Sequence, residues 1–136
     1  MNNLLQALMT KISGSDLSTD VGGRIYLDDA PQGTEMPYVV FFIVSDVPDN
    51  TFTENIEDIL VQFSIFSSSM GATEITGIYN HLIALFDDRD LSITGYGHLS
   101  MMRQNLTTMV EDITTVLGTT RVKHWAVDYS ILIEKT

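Results

Sequence analysis

The alternation of apolar and polar residues divides the chain into a helix, a set of strands, a second helix and a second set of strands. In NLLQALMTKI, residues 3 to 12, Leu4, Leu5, Leu8, Met9 and Ile12 fall on one helical stripe. Asn2 or Asn3 is placed to cap its start and Ser13-Gly14 to stop it. Residues 15 to 24, SDLSTDVGGR, read as a loop, and Arg24 to Leu27 as a short strand. Residues 71 to 87 carry the clearest helical period, with Ile75, Ile78, Tyr79, Leu82, Ile83, Leu85 and Phe86 on it. One of Ser67, Ser68 and Ser69 is expected to cap that helix. Its end, Asp87-Asp88, opposes the helix dipole, and Arg89 is placed to offset it.

Strand periodicity is plainest in two places. Ile59, Val61, Phe63 and Ile65 alternate with Gln62 and Ser64, and Leu60 and Phe66 make the second face partly apolar. At the C-terminus, Trp125, Val127, Tyr129, Ile131 and Ile133 face one way. His124, Ala126, Asp128, Ser130 and Glu134 face the other, and Leu132 interrupts them. Residues 91 to 98 predict a short strand and a Gly-Tyr-Gly turn, and residues 99 to 111 a less regular strand. Residues 45 to 56, SDVPDNTFTENI, read as a long exposed loop with Phe52 near its tip, and residues 112 to 120 as a closing loop.

The stretch DDAPQGTEMPYVVFFIV, residues 28 to 44, joins a polar turn directly to an apolar strand. Pro31-Gln32-Gly33 signals a turn, and Pro37 lacks the N–H that an inner strand position would use. Tyr38 to Val44 contains no charged side chain, so both faces of the strand call for cover. One face is expected to take the chain's own helices; the other calls for a second layer or a neighbouring subunit. The element order predicts an α+β fold, a mostly antiparallel or mixed sheet with two helices packed on one side. A chain of 136 residues without repeats or low-complexity segments predicts one domain, residues 1–136.

Composition narrows the function classes. Charged residues make up only 18% of the chain, against about 25% in ordinary domains. This favours a surface partly met by another subunit. The net charge is −11, and the seven bases are scattered, so tight binding to a phosphate backbone is not expected. An acidic surface can instead let DNA pass without sticking. There is no cysteine, and no apolar run approaches a membrane span or a secretory signal, so the chain is expected in the cytoplasm. The sequon Asn105-Leu106-Thr107 then has no role.

Candidate chemistry is sparse. His81, His98 and His124 lie outside metal-ligand spacing of one another. From Asp88, the positions Asp90 and Ser92 imitate a calcium loop, but Ile93 and Leu99 stand where Gly and Glu are needed. The serines before Gly71 lack the first Gly of a nucleophile elbow, and Gly95-Tyr96-Gly97 lacks the third Gly of a dinucleotide loop. Asp28-Asp29 reads as a solvated turn, and Met101, Met102 and Met109 as core packing or an adaptable apolar patch. No catalytic, cofactor-binding or metal residue is expected, and the chain does not read as an enzyme. A small metal- or ligand-binding domain using Asp87 to Asp90 is the alternative of another class.

RIYLDDAPQGTEMPYVVF resembles a signature of the phage tail completion family, the head-to-tail joining proteins of long-tailed phages. ILVQFSIFSSS, GATEITGIYNHLIALFDD and KHWAVDYSILIEK follow in the order and spacing of that family. The resemblance implies a structural virion protein, assembled in the host cytoplasm. It implies a hexameric ring whose partners are further copies, the head connector or adaptor, and the tail tube or tail terminator protein. DNA passes through its centre without being tightly bound. A tail terminator that caps the tube is the close alternative. No cofactor is implied. Pro31, Gln32, Val47 and Phe52 are the expected subunit or partner contacts.

Overall fold

The computed structural model describes residues 2–31, 33–50, 55–87, 89–115 and 118–135. Helices α1 (Asn2–Ile12) and α2 (Asp16–Asp20) are followed by strands β1 (Ile25–Leu27), β2 (Tyr38–Asn50) and β3 (Asn55–Ser67). Then come helix α3 (Thr73–Phe86) and strands β4 (Tyr96–Thr115) and β5 (Gly118–Lys135). The five strands form one mixed sheet in the order β1-β2-β3-β5-β4. Only β1 runs parallel to its neighbour; the other pairs are antiparallel. The α+β expectation holds, with a short third helix added to the two foreseen.

All three helices share one core with one face of the sheet. Leu4, Leu8, Ile12, Leu17, Ile75, Ile78, Leu82 and Phe86 from the helices meet Val39, Phe41, Ile59, Val61, Phe63, Ile65, Val127, Tyr129, Ile131 and Ile133. The registers Phe41↔Phe63↔Val127 and Ile59↔Ile131 bring these residues to the same face, because directly opposed strand residues point the same way. Phe63 stacks on Phe41 at 5.7 Å and on Phe86 at 5.0 Å, and meets Tyr129 edge-on at 5.8 Å. At the end of α3 the buried Tyr129 hydroxyl donates to Asp87 Oδ1 (2.6 Å). Burial, reinforced by that carboxylate, raises the Tyr129 pKa. Arg103 from β4 lies 3.4 Å from the other Asp87 oxygen and donates to Tyr79 (2.6 Å). The charge that offsets the end of α3 is therefore Arg103, brought by the sheet, and not the exposed Arg89 of the sequence expectation.

Several expectations are corrected. Residues 16 to 20 form a helix because the Ser15 side chain accepts from the Ser18 N–H (3.2 Å) and Leu17 is buried beneath it. No serine caps α3: its N-cap is Ala72, and Ser67 instead donates to Glu74 Oε1 (2.7 Å). Residues 45 to 50 and 55 to 56 are paired strand rather than loop. Residues 112 to 115 and 118 to 120 likewise extend the β4–β5 hairpin. In both places the backbone ladder continues past the apolar core, so the side chains no longer need to be apolar to stay in register. Residues 91 to 95 hold no strand beyond an isolated Ile93–Tyr96 bridge, and Tyr96 to His98 already belong to β4. Met9 leaves the buried stripe and is 41% exposed, its place taken by Ala7.

Two histidines respond to pH with opposite sign. His81 on α3 bonds to Asp20 on α2, and this bond raises its pKa above 6.5 despite some desolvation. The stability it contributes is complete below pH 6.5 and lost as pH rises through the folded value. Burial lowers the pKa of His98, Lys11 adding to the effect and Asp90 opposing it. Its contribution is complete above pH 6.5 and lost as pH falls. His81→Gln should therefore flatten the alkaline side of a melting-temperature profile between about pH 5 and pH 8 while keeping the acid side. An unchanged alkaline side would contradict the α2–α3 tether.

Candidate interaction surface on the open face of the sheet

Among the described residues, the face of the sheet away from the helices has no covering layer of secondary structure. The strand registers align its residues in rows. Tyr38, Phe66, His124 and Met109 form one row, then Val40, Ser64, Ala126 and Thr107, then Phe42, Gln62, Asp128 and Asn105. Aromatic rings line the first row: Tyr38 stacks on Phe66 at 4.8 Å, and Phe66 on His124 at 4.3 Å. His124 Nδ1 lies 3.2 Å from Glu111 Oε1, and its Nε2 is buried without a hydrogen-bond partner. Burial, with Glu111 adding to it, raises the Tyr38 pKa. The next rows are polar and mutually bonded. Gln62 Nε2 donates to Asp128 (2.9 Å), Ser64 to Gln62 (3.4 Å) and Ser130 to Asp58 (2.8 Å).

Residues 28 to 31 and 33 to 36 fold back over the β2 side of this face. Asp28 turns the chain out of β1 with φ 68°, a conformation that Asp adopts more readily than most side chains, and its N–H bonds to Phe41 O (2.9 Å). The loop then turns at Pro31–Thr34, where Gly33 has φ 82° and the Thr34 N–H reaches Pro31 O (3.2 Å). Between loop and sheet lies an open groove of about 670 Å³ with Val40, Phe42 and Phe66 on its floor and Asp28 and Asp29 in its wall. The apolar strand that seemed to need cover on both faces thus has helices on one and its own preceding loop over part of the other.

Charge is distributed unequally between the two faces. Among the described residues of β2 to β5, Arg103, Arg121, Lys123 and Lys135 all fall on the helix-facing register. Asp58, Glu111, Asp128 and Glu134 fall on the open one, which carries no Lys or Arg. This sidedness was legible in the final strand, where acids occupy only the His124 parity, but its extension across the sheet required the register. Of the contact residues expected from sequence, Pro31 is exposed in the wall of the groove and Val47 is 57% exposed near the far end of β2. Gln32 and Phe52 lie outside the described residues. Of the methionines read as core packing or an adaptable patch, Met101 is buried while Met102 and Met109 are exposed; sequence reading missed the exposure of Leu27 and Val110, for which a strand pattern alone carries no signal. Among the described residues no three His, Asp or Glu side chains gather to hold a metal ion, and no helix is long and apolar enough to cross a membrane.

Residues 3–134 match the family described as Tail completion protein gp17. The chain belongs to the phage tail completion family. This makes it a structural virion protein of the tail, in keeping with the resemblance carried by residues 24 to 41. Solved structures that share the fold include a chain of the virion of a native gene transfer agent particle. That chain is 12% identical, with a TM-score of 0.68 over 92% of this tail completion chain and 90% of its own. No curated protein sequence matches.

Proposed function

We propose that this tail completion protein forms a hexameric ring at the junction of head and tail. The ring joins the head connector or adaptor to the tail tube or its terminator, and the DNA passes through its centre. The family match over residues 3–134 carries this reading. The charge distribution supports the last part: a face with acids and no Lys or Arg repels a phosphate backbone, which suits a wall that DNA must slide past. On this reading the open face lines the channel, the helices lie outside, and the protein acts by docking, without turnover, after assembly in the host cytoplasm.

Omitting the chain from an otherwise complete particle is the test. DNA-filled heads and tails of normal length should accumulate separately in electron micrographs. Tails of uncontrolled length would instead show a terminator that caps the tube, and intact joined particles would contradict both roles.

A further inference from the structure

The two margins of the sheet differ, and among the described residues neither has a further strand beside it. β4 is the longest strand and forms one margin. Its register shifts between His98 and Ser100 and again between Arg103 and Asn105, but runs without interruption from Asn105 to Thr115. Bulges blunt a sheet edge against pairing with other chains, and the lower half of β4 has none. In that half Met109 is 37% exposed and Val110 61% exposed, and the only charges are Glu111 and Asp112. A regular, exposed and partly apolar edge is a template for another strand.

β1 forms the opposite margin and pairs with a strand on its β2 side alone; on its outer side the Ile25 N–H bonds to Gly23 O (2.9 Å) and Leu27 O accepts from the Asp29 N–H (2.9 Å). Leu27 and Met9 are 40% and 41% exposed there, on the helix side of the sheet. Val110 pairs with Lys123, whose Nζ donates to Ser69 O ahead of α3, so Val110 is on the helix side as well. Within one chain Ile25 is level with Val39, Ile65, Trp125 and Thr108; a neighbour staggered by four residues along β4 sets Leu27 opposite Val110, Ile25 opposite Asp112 and Tyr26 opposite Glu111, beside Arg24. The acidic pair Glu111-Asp112 at one margin is therefore matched by Arg24 at the other. β1 also runs opposite to β4 across the sheet, so a neighbour in the same orientation presents an antiparallel partner.

We propose that the outer edge of β4, from Asn105 to Asp112, pairs antiparallel with β1 of a second copy of this chain. The contact seats Val110 against Leu27 and Met9 and brings Glu111 and Asp112 toward Arg24. It rests on the ring reading above. Because the two margins are unlike, the contact is head-to-tail and repeats from copy to copy until it closes.

The chain has no cysteine, which makes engineered disulfides a clean probe. Leu27→Cys and Val110→Cys are made separately in the full chain, mixed at high concentration and mildly oxidised. Opposed antiparallel residues have the Cα spacing that a disulfide needs. The mixture should give a covalent dimer that is absent from a mixture of Leu27→Cys with Met70→Cys, Met70 being 97% exposed and outside both margins. The double variant L27C/V110C should give a ladder that ends at one closed species. Oligomers in sedimentation without the L27C–V110C dimer, or equal cross-linking to Met70→Cys, would overturn the edge contact and leave the ring standing. A ladder without end would support the contact and remove the closed ring. A chain that stays monomeric and uncross-linked up to its solubility limit overturns the edge contact, while the omission experiment still judges the virion role by itself.

Discussion

Replacing Phe63 with alanine is expected to cost about 3–5 kcal/mol of folding stability, the range for deleting a large buried aromatic. Phe63 is fully buried at the middle of β3 and touches three other rings, one from β2, one from α3 and one from β5. Those rings come from both layers, so the cavity left by truncation cannot collapse without moving the helix off the sheet. Denaturant unfolding should show the loss at unchanged m, and the thermal midpoint should fall by on the order of 10 °C or more. Phe66 serves as the internal comparison. It sits three residues away on the open face, only partly buried, so Phe66→Ala should cost clearly less. Equal losses at the two positions would mean that the two faces of β3 are assigned wrongly.

Reversing the charge of the open face should have the largest effect on function. A chain carrying Asp58→Lys, Asp128→Lys and Glu134→Lys places three bases on a face where the described residues of β2 to β5 have neither Lys nor Arg. It should retain DNA at low salt and release it as salt rises. Three new phosphate contacts per chain correspond to a log-log salt slope of about −2.7. In assembled particles the same chain should slow or arrest DNA exit and lower infectivity. Asp58 and Asp128 accept hydrogen bonds from Ser130 and Gln62, so folding needs its own control. The variant Asp58→Asn, Asp128→Asn, Glu134→Gln removes the charge and keeps acceptors for those bonds. It should fold and lose only the repulsion. Reversed particles that release DNA like the parent would place the open face away from the channel.

Much of the fold was legible because its core obeys simple periods. The strand 59–65, the strand 125–133 and the helix 71–87 each bury one face against a neighbour, and the period of burial is written in their apolar positions. The errors share a cause. The ends of the β2–β3 and β4–β5 hairpins reach past the core, where side chains do not need to be apolar, and the polar residues 45 to 56 and 112 to 120 resemble loops. Only the backbone ladder, Ser45↔Leu60 and Asp112↔Arg121 among its steps, holds residues 45 to 50, 55, 56, 112 to 115 and 118 to 120 as strands. The short α2 went unseen because its stability comes from one capping serine and one buried leucine, too few residues to establish a period.

The candidate surface was less legible than the core. Pro31 stood out as a turn residue next to an apolar strand, and the structure places it in the wall of a groove. The row of Tyr38, Phe66 and His124 joins residues from three separate segments and has no mark in any one of them. The sequence by itself determined the composition of each element and which of its faces is apolar, since both follow from local spacing and from the free energy of removing apolar surface from water. It also carried enough of the family's landmarks to place the chain among the tail completion proteins. Only the tertiary structure decided which polar faces lie side by side, which acids share an open surface, and which strands are left at the margins. Those facts depend on strand order and register, and pairing between segments far apart in the chain sets both.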